Sequence, residues 1–475
     1  MLGTGTATGL SGQYSRVVDV VDAGADDSGQ ESVTPVLERV IDDDTLLQFP
    51  PGRYYMDSQV RITDCENVGL VGDDATLVPA DYYAFDGPQY RLFRLGTADD
   101  PARSIEVRNF DVDQTAAATG IRAFEVSVSD DVVIEDVTVH GEHDSGTWGP
   151  LLVRITDPGG SGVVRRFRAP DGGAVAADAP GDLWRGPTGM LVDRHHGDLR
   201  IADCVLGPYP DNGLYVSGDG RIVVHEGVYK NSNVASIRIG ADRSILDGPT
   251  VVVDEVDDDY ERQRPIRLDY GSWHTIQWAD VRMPTPNGSA ITLRSEVQGA
   301  TLRGTDISIG DGPASGVVIR PGTGPVYLDN VDVDIETSGN AIRILGQGGP
   351  VGVQGGRIRG GAPGTQLRDA IRCERDDCAF RHVDVDQWGG TKRRALVVEG
   401  DGTYVYDCLF RSTDRPITVN GDDTWIEDCY LNAYSGTESV VLNDTASMVR
   451  LKDNELPDGV VNRGATDVTE TGTTY

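Results

Sequence analysis

Lysine is almost missing from this chain. Of its 42 basic residues only three are lysines (Lys230, Lys392, Lys452), and 39 are arginines. Against them stand 76 Asp and Glu, which leaves a formal charge of −34. With no basic stripe to neutralise phosphates, nucleic acid is excluded as a partner. Long apolar runs are missing too, so no segment reads as a membrane span. Cysteine is scarce: six in 475 residues are too few for a disulfide scaffold. No Cys/His spacing suggests zinc. Cys204, Cys408 and Cys429 share one repeat position, and Cys373 replaces an inward apolar residue, so they read as buried thiols. Cys408 and Cys429 fall in neighbouring repeats, but stacked parallel strands rarely offer disulfide geometry.

What is present is a strand signature that returns every 21–29 residues. It reads small, apolar, any, apolar: Gly213-Leu214-Tyr215-Val216, Ser236-Ile237-Arg238-Ile239, Pro265-Ile266-Arg267-Leu268 and Ala290-Ile291-Thr292-Leu293. It continues at Gly316, Ala341, Ala370, Ala395, Pro416 and Ser439, with weaker copies upstream at Val68, Ile105, Val153 and Gly189. A variable period with β alternation inside each unit indicates a β-solenoid, because β-coils tolerate extra residues in their turns. A second signature keeps step: apolar, any, then Asp, Asn or Gly. Asp136, Asp203, Asn330, Asp407, Asp428 and Asp453 occupy its third position. These residue types tolerate the left-handed backbone of a sharp turn. The reading is all-β: a single-stranded parallel β-helix of about twelve coils stacked about 4.8 Å apart.

The segment Val17–Asp26 is followed by Val33, Val36, Leu37, Val40 and Ile41 on one helical face, then by Leu47-Gln48-Phe49-Pro50-Pro51-Gly52-Arg53-Tyr54. It resembles the opening of the pectin-lyase-like superfamily: a strand ending in Gly-Ala, an amphipathic helix, then Phe-Pro-Pro-Gly-x-Tyr. The resemblance implies right-handed coiling and an N-terminal amphipathic helix cap. Together with the small-residue N-terminus and the Thr-rich C-terminus, this divides the chain into a flexible linker (1–16), a cap strand and helix (17–55), the parallel β-helix (56–456) and a C-terminal tail (457–475). The superfamily holds lyases, hydrolases, epimerases, tailspikes and non-catalytic surface proteins, so fold leaves function open. Abundant Asp with almost no Lys resembles proteins of haloarchaea or their viruses, whose dense carboxylates hold water and cations in molar salt.

Family catalytic motifs are not matched. Where polygalacturonase-like hydrolases carry Asn-Thr-Asp-Gly, this chain has Pro210-Asp211-Asn212-Gly213, and the next repeat has no acidic pair. The Arg-x-Pro-x-x-Arg pattern of pectate lyases is also missing. Side-chain alternation narrows the search instead. The outward position of the anchor strand reads Arg154, Leu191, Tyr215, Arg238, Arg267, Thr292, Val318, Arg343, Arg372, Val397, Thr418, Val441. Two residues later the row includes Asp193, Ser217, Asp269, Arg294 and Arg320. Arginine forks suit uronate or sulfate groups, and aromatic rings stack on sugars; paired with acids, the same ladder would only stabilise the sheet. Long turns before several anchor strands bring His143, Trp148 and Trp184 towards the same side.

The reading is therefore a carbohydrate-active protein that grips an acidic polysaccharide or cell-surface glycan. Tyr215, Arg238, Arg264, Arg267, Trp148, Trp184 and His143 would bind it. Asp193, Asp211, Asp269 and His195 would be the catalytic groups of a lyase or glycoside hydrolase. No motif assigns a cofactor, and the many carboxylates leave calcium open. The alternatives are a non-catalytic glycan-binding or adhesion protein and a tailspike or fibre of a halophilic virus. The first two readings place the chain outside the cell or on its surface, after loss of a signal peptide; the third places it in the virion. The oligomeric state is a monomer or a homotrimer.

Overall fold

The structure, a computed structural model, describes residues 13–63, 65–85, 90–180, 183–365 and 369–475. Most of the expected N-terminal linker (residues 1–12) lies outside the described residues. The chain is an all-β parallel β-solenoid of about 16 turns. It divides into two compact units, Met1–Ala241 and Asp242–Tyr475. No helix among the described residues is long and apolar enough to cross a membrane.

In the first unit the strands are long and turn corners without breaking. The strand Arg122–His140 is 19 residues long. Its start pairs with Leu151–Ile155, and its middle and end pair with Ser161–Ala169. Asp136 sits at its corner with φ 54°. The expected helix cap is not matched. The stretch holds a helix of only seven residues, Thr34–Val40, with Leu37 and Val40 buried. The strands Arg16–Asp19, Ser28–Ser32, Thr45–Phe49 and Gly52–Met56 surround it, their backbone donors and acceptors satisfied by joining the ladders. Arg16–Asp19 pairs with Thr45–Phe49, which pairs in turn with Asn67–Pro79.

The second unit is more regular. Arg267 pairs with Thr292, then come Val318, Arg343, Arg372, Val397, Thr418 and Val441, all in one register. Between these outward residues, Ile291, Leu293, Val317, Ile319, Ile342 and Ile344 are essentially fully buried. Each contributes about 1.5–3 kcal/mol by leaving water, which fixes the register, since a one-residue slip would turn the core face outward. The expected tail also carries strands: Val460–Asn462 and Thr469–Thr471 extend two of the ladders.

These strands correct the count of twelve coils. Turns within 17–55 and 457–475 add coils. Moreover, Val68 and Ile105 belong to a different ladder from Val153 and Gly189, the one that runs through Thr45–Phe49 and Val132. The six turn residues of the second signature all have φ between 49° and 54°. All six cysteines are buried and none is joined in a disulfide. The Cys408 and Cys429 thiols each donate to a backbone carbonyl two residues back (3.3 and 3.2 Å).

Candidate anion-binding cleft

In the second unit, the turns before four successive anchor strands stand beside the outward rows of those strands. Between them lies a cleft of about 770 Å³. The turn before Ile266–Gly271 contributes Arg262 and Arg264, and the strand contributes Arg267. The next coils add Arg294, Arg320 and Arg343 from the strand rows, with Ser289, Thr292, Ser315 and Thr337 between them. Six arginines thus face two acids, Glu261 and Asp311, within a protein whose net charge is −34.

The arginines are held in different ways. Arg267 Nε donates to Asp269, two residues on in the same strand. Among the described residues no carboxylate lies within 4.0 Å of Arg294, Arg320 or Arg343. The contrast with the next rung is sharp: Arg372 is met by Asp369 (3.2 Å), Glu374 (2.9 Å) and Glu399 (3.2 Å). Arg264 is half-buried, and burial pushes its guanidinium down to about 10. Repulsion from Arg267, Arg262, Arg320 and Arg294 adds to that shift. It remains a cation at neutral pH. Converging cations, some of them half-buried, beside hydroxyl groups can take an anion with several oxygens through charge-assisted, two-pronged hydrogen bonds.

The residues singled out from the sequence fall in both units. Arg264, Arg267 and Asp269 belong to the second unit; the other eight belong to the first. There, Arg238 lies over the Tyr215 ring (4.2 Å) and Arg185 over the Trp184 ring (4.2 Å). Thr188 Oγ1 donates to Asp211 (3.1 Å). Burial raises the Asp211 carboxyl, with Arg238 and Arg185 pulling the other way, so these groups share one neighbourhood. Asp193 stands apart from them, accepting from Ser217 (3.0 Å) and Arg154 (3.5 Å). Arg154 is therefore a neighbour of Asp193; in the row of Tyr215 and Leu191 its place is taken by Leu152. Trp148 is exposed.

His143 and His195 are buried, so neither can touch a ligand. His143 Nε2 shares a hydrogen bond with Thr147 Oγ1 (2.7 Å), and His195 Nδ1 accepts from the Ile155 amide (3.3 Å). Burial lowers them to about 3 and about 4. Among the described residues no group of three or more His, Cys, Asp or Glu is placed to hold a metal ion. Four cleft arginines, Arg262, Arg294, Arg320 and Arg343, were missed as site residues. Three of them stand in the outward rows of the sequence, but only their lack of carboxylate partners separates them from Arg372.

No protein-family model matches the chain, and no curated protein matches it significantly. Several solved structures are similar. The N-terminal fragment of bacteriophage Phi29 gene product 12 is 11% identical with a TM-score of 0.47, over 96% of this chain and 93% of that one. The Streptococcus pneumoniae surface protein and adhesin PfbA is 10% identical with a TM-score of 0.35, over 96% and 100%. The catalytic unit of a GH87 α-1,3-glucanase from Streptomyces thermodiastaticus is 14% identical with a TM-score of 0.31, over 97% and 69%. Likeness at this level assigns neither an activity nor a ligand.

Proposed function

We propose that this chain is a glycan-binding protein of the right-handed parallel β-helix type, and that it holds an anionic polysaccharide in the arginine cleft. The observation that carries this reading is the local inversion of charge. Six arginines converge where the rest of the molecule is strongly acidic, and three of them have no carboxylate within ion-pairing distance among the described residues. Uronate and sulfate groups present the planar or tripodal oxygens that guanidinium forks match. Binding outside the cell or on a virion is the setting in which such chains are met.

The test is binding of polygalacturonate, alginate and a sulfated galactan to the protein and to Arg264→Ala and Arg294→Ala. A hydrogen bond to a charged group is worth about 1.5–3 kcal/mol, so each substitution weakens binding by roughly tenfold or more. Equal binding by wild type and both variants would contradict the assignment.

A second reading rests on Asp211, whose raised carboxyl lies near the arginines of the Tyr215–Arg238 and Trp184–Arg185 stacks. A half-buried carboxyl of this kind is suited to act as a general acid in glycoside cleavage. If it does, wild type shortens the polysaccharide and Asp211→Asn does not.

A further inference from the structure

The chain has six tryptophans, and all six are exposed, from 41% (Trp425) to 73% (Trp184). Indoles usually lie largely buried, so a surface that keeps every one in water points to contact with something else. Trp273 and Trp278 flank, and Trp425 opens, strands of one sheet in the second unit, the sheet that runs from His274–Gln277 through Ala300–Arg303, Val326–Asp329, Val351–Gln354, Ala379–Arg381 and Tyr404–Tyr406 to Trp425–Glu427.

One outward row of this sheet reads Tyr327, Gly352, Ala379, Tyr404. Tyr327 and the two small residues that follow it line a trough of about 500 Å³, and Tyr404 stands on the rung after them. The tyrosines stand three coils apart, about 14 Å at the spacing of parallel strands. The rings are pre-set. Tyr327 leans over Gly352, where a Cβ would come within 3.3 Å of its Cδ1. Tyr404 is stacked on Tyr406 (5.9 Å, 10°), the Arg381 guanidinium lies over its ring (5.4 Å), which a sugar would have to displace, and its hydroxyl donates to Glu427 (3.1 Å). The charged groups of the lining cancel: Arg303 and Arg381 face Asp329 and Asp377.

Trp278 adds an independent observation. It has φ 55° at a turn where the following coils place Gly304, Asn330, Gly355, His382, Asp407 and Asp428. A bulky residue takes that backbone only at a cost. Its ring lies against Gly304, where a Cβ would come within 2.2 Å of Cζ3, and Trp273, at the other end of the same strand, also has a positive φ (53°).

We infer that this face is a second carbohydrate site, one that takes a neutral saccharide chain by stacking sugar rings on Tyr327, Tyr404 and the flanking indoles. The occupant follows from the chemistry. Pyranose rings offer apolar C–H faces to aromatic rings, and their hydroxyls can meet Gln354 and the Arg303–Asp329 pair (3.0 Å) without burying an unpaired charge. The absence of net charge in the trough disfavours the anionic chain proposed for the cleft, so the two sites are independent.

The probes are maltohexaose, cellohexaose, xylohexaose and mannohexaose, each titrated into the full chain by calorimetry and ligand-observed NMR. At least one binds. Tyr327→Ala, Gly352→Val and Trp278→Asn each weaken it by about tenfold or more. Trp278→Asn restores the residue type usual at that turn, so it keeps or raises the melting temperature while losing affinity. Tyr327→Ala leaves polygalacturonate binding in the cleft unchanged, which separates a failure here from a failure there. The inference is overturned if none of the four hexasaccharides binds, or if the variants bind like wild type. It is equally overturned if sedimentation shows self-association that Tyr327→Ala abolishes, since the face would then join two copies of the chain.

Discussion

At the scale of single residues, arginine has three different environments in this protein. Arg372 is neutralised by three carboxylates. Arg375 is buried and donates to five backbone carbonyls of preceding coils, including Thr323, Gly349 and Arg320 (2.8–3.2 Å). Arg264 is surrounded by other arginines. The sequence shows the same residue type in all three places, and only the fold sorts them. The histidines were equally illegible: His143 and His195 lie in polar stretches, yet both are buried and neutral. A consequence is testable. The His195 imidazole falls from about 6.5 in the unfolded chain to about 4 in the fold. Below pH 6.5 the unfolded chain takes up a proton that the fold refuses, so stability falls as pH drops towards 4 and is fully present above 6.5. The loss near pH 4.5 is of the order of 2–3 kcal/mol. His195→Gln keeps an acceptor for the Ile155 amide and should lose less stability between pH 7 and 4.5 than wild type in urea titrations. An identical pH dependence would show that His195 does not titrate this way.

At the scale of elements, the turns were the most legible part. Asp136, Asp203, Asn330, Asp407, Asp428 and Asp453 were recognised by spacing alone, and all six adopt the left-handed backbone. The reason is local: that conformation restricts the residue type whatever surrounds it. Asp203→Val should therefore cost about 1–2 kcal/mol, whereas Asp203→Gly should stay within a few tenths. Equal stabilities in urea would mean that the turn relaxes and the Asp is not selected by its backbone. Register was legible in the second unit, where each coil repeats one small-apolar-any-apolar anchor. It was not legible around Val68 and Ile105, because apolar alternation is the same in every sheet and cannot say which ladder a strand joins. The helix cap failed for a related reason. Val33, Val36, Leu37, Val40 and Ile41 have helical spacing, but only Thr34–Val40 is helical, and the strands that bracket it, Ser28–Ser32 and Thr45–Phe49, join the ladders.

At the scale of the whole molecule, charge is the organising quantity. A net −34 repels anions at long range, and the cleft has to overcome that field over a short distance. Salt helps it: at about 1 M the Debye length is only about 3 Å, so the background repulsion is screened while guanidinium contacts at hydrogen-bond distance persist. Binding of an anionic chain should therefore survive molar salt. A cleft that relied on diffuse attraction would be switched off there.

The most direct test compares polygalacturonate with the same polymer after its carboxylates have been reduced to alcohols, titrated into wild-type protein in about 1 M salt. The account predicts that polygalacturonate binds and that the reduced, neutral polymer loses at least about 90% of that affinity at the cleft. Equal binding of the two polymers, or no binding of the charged one at any salt concentration, would contradict it.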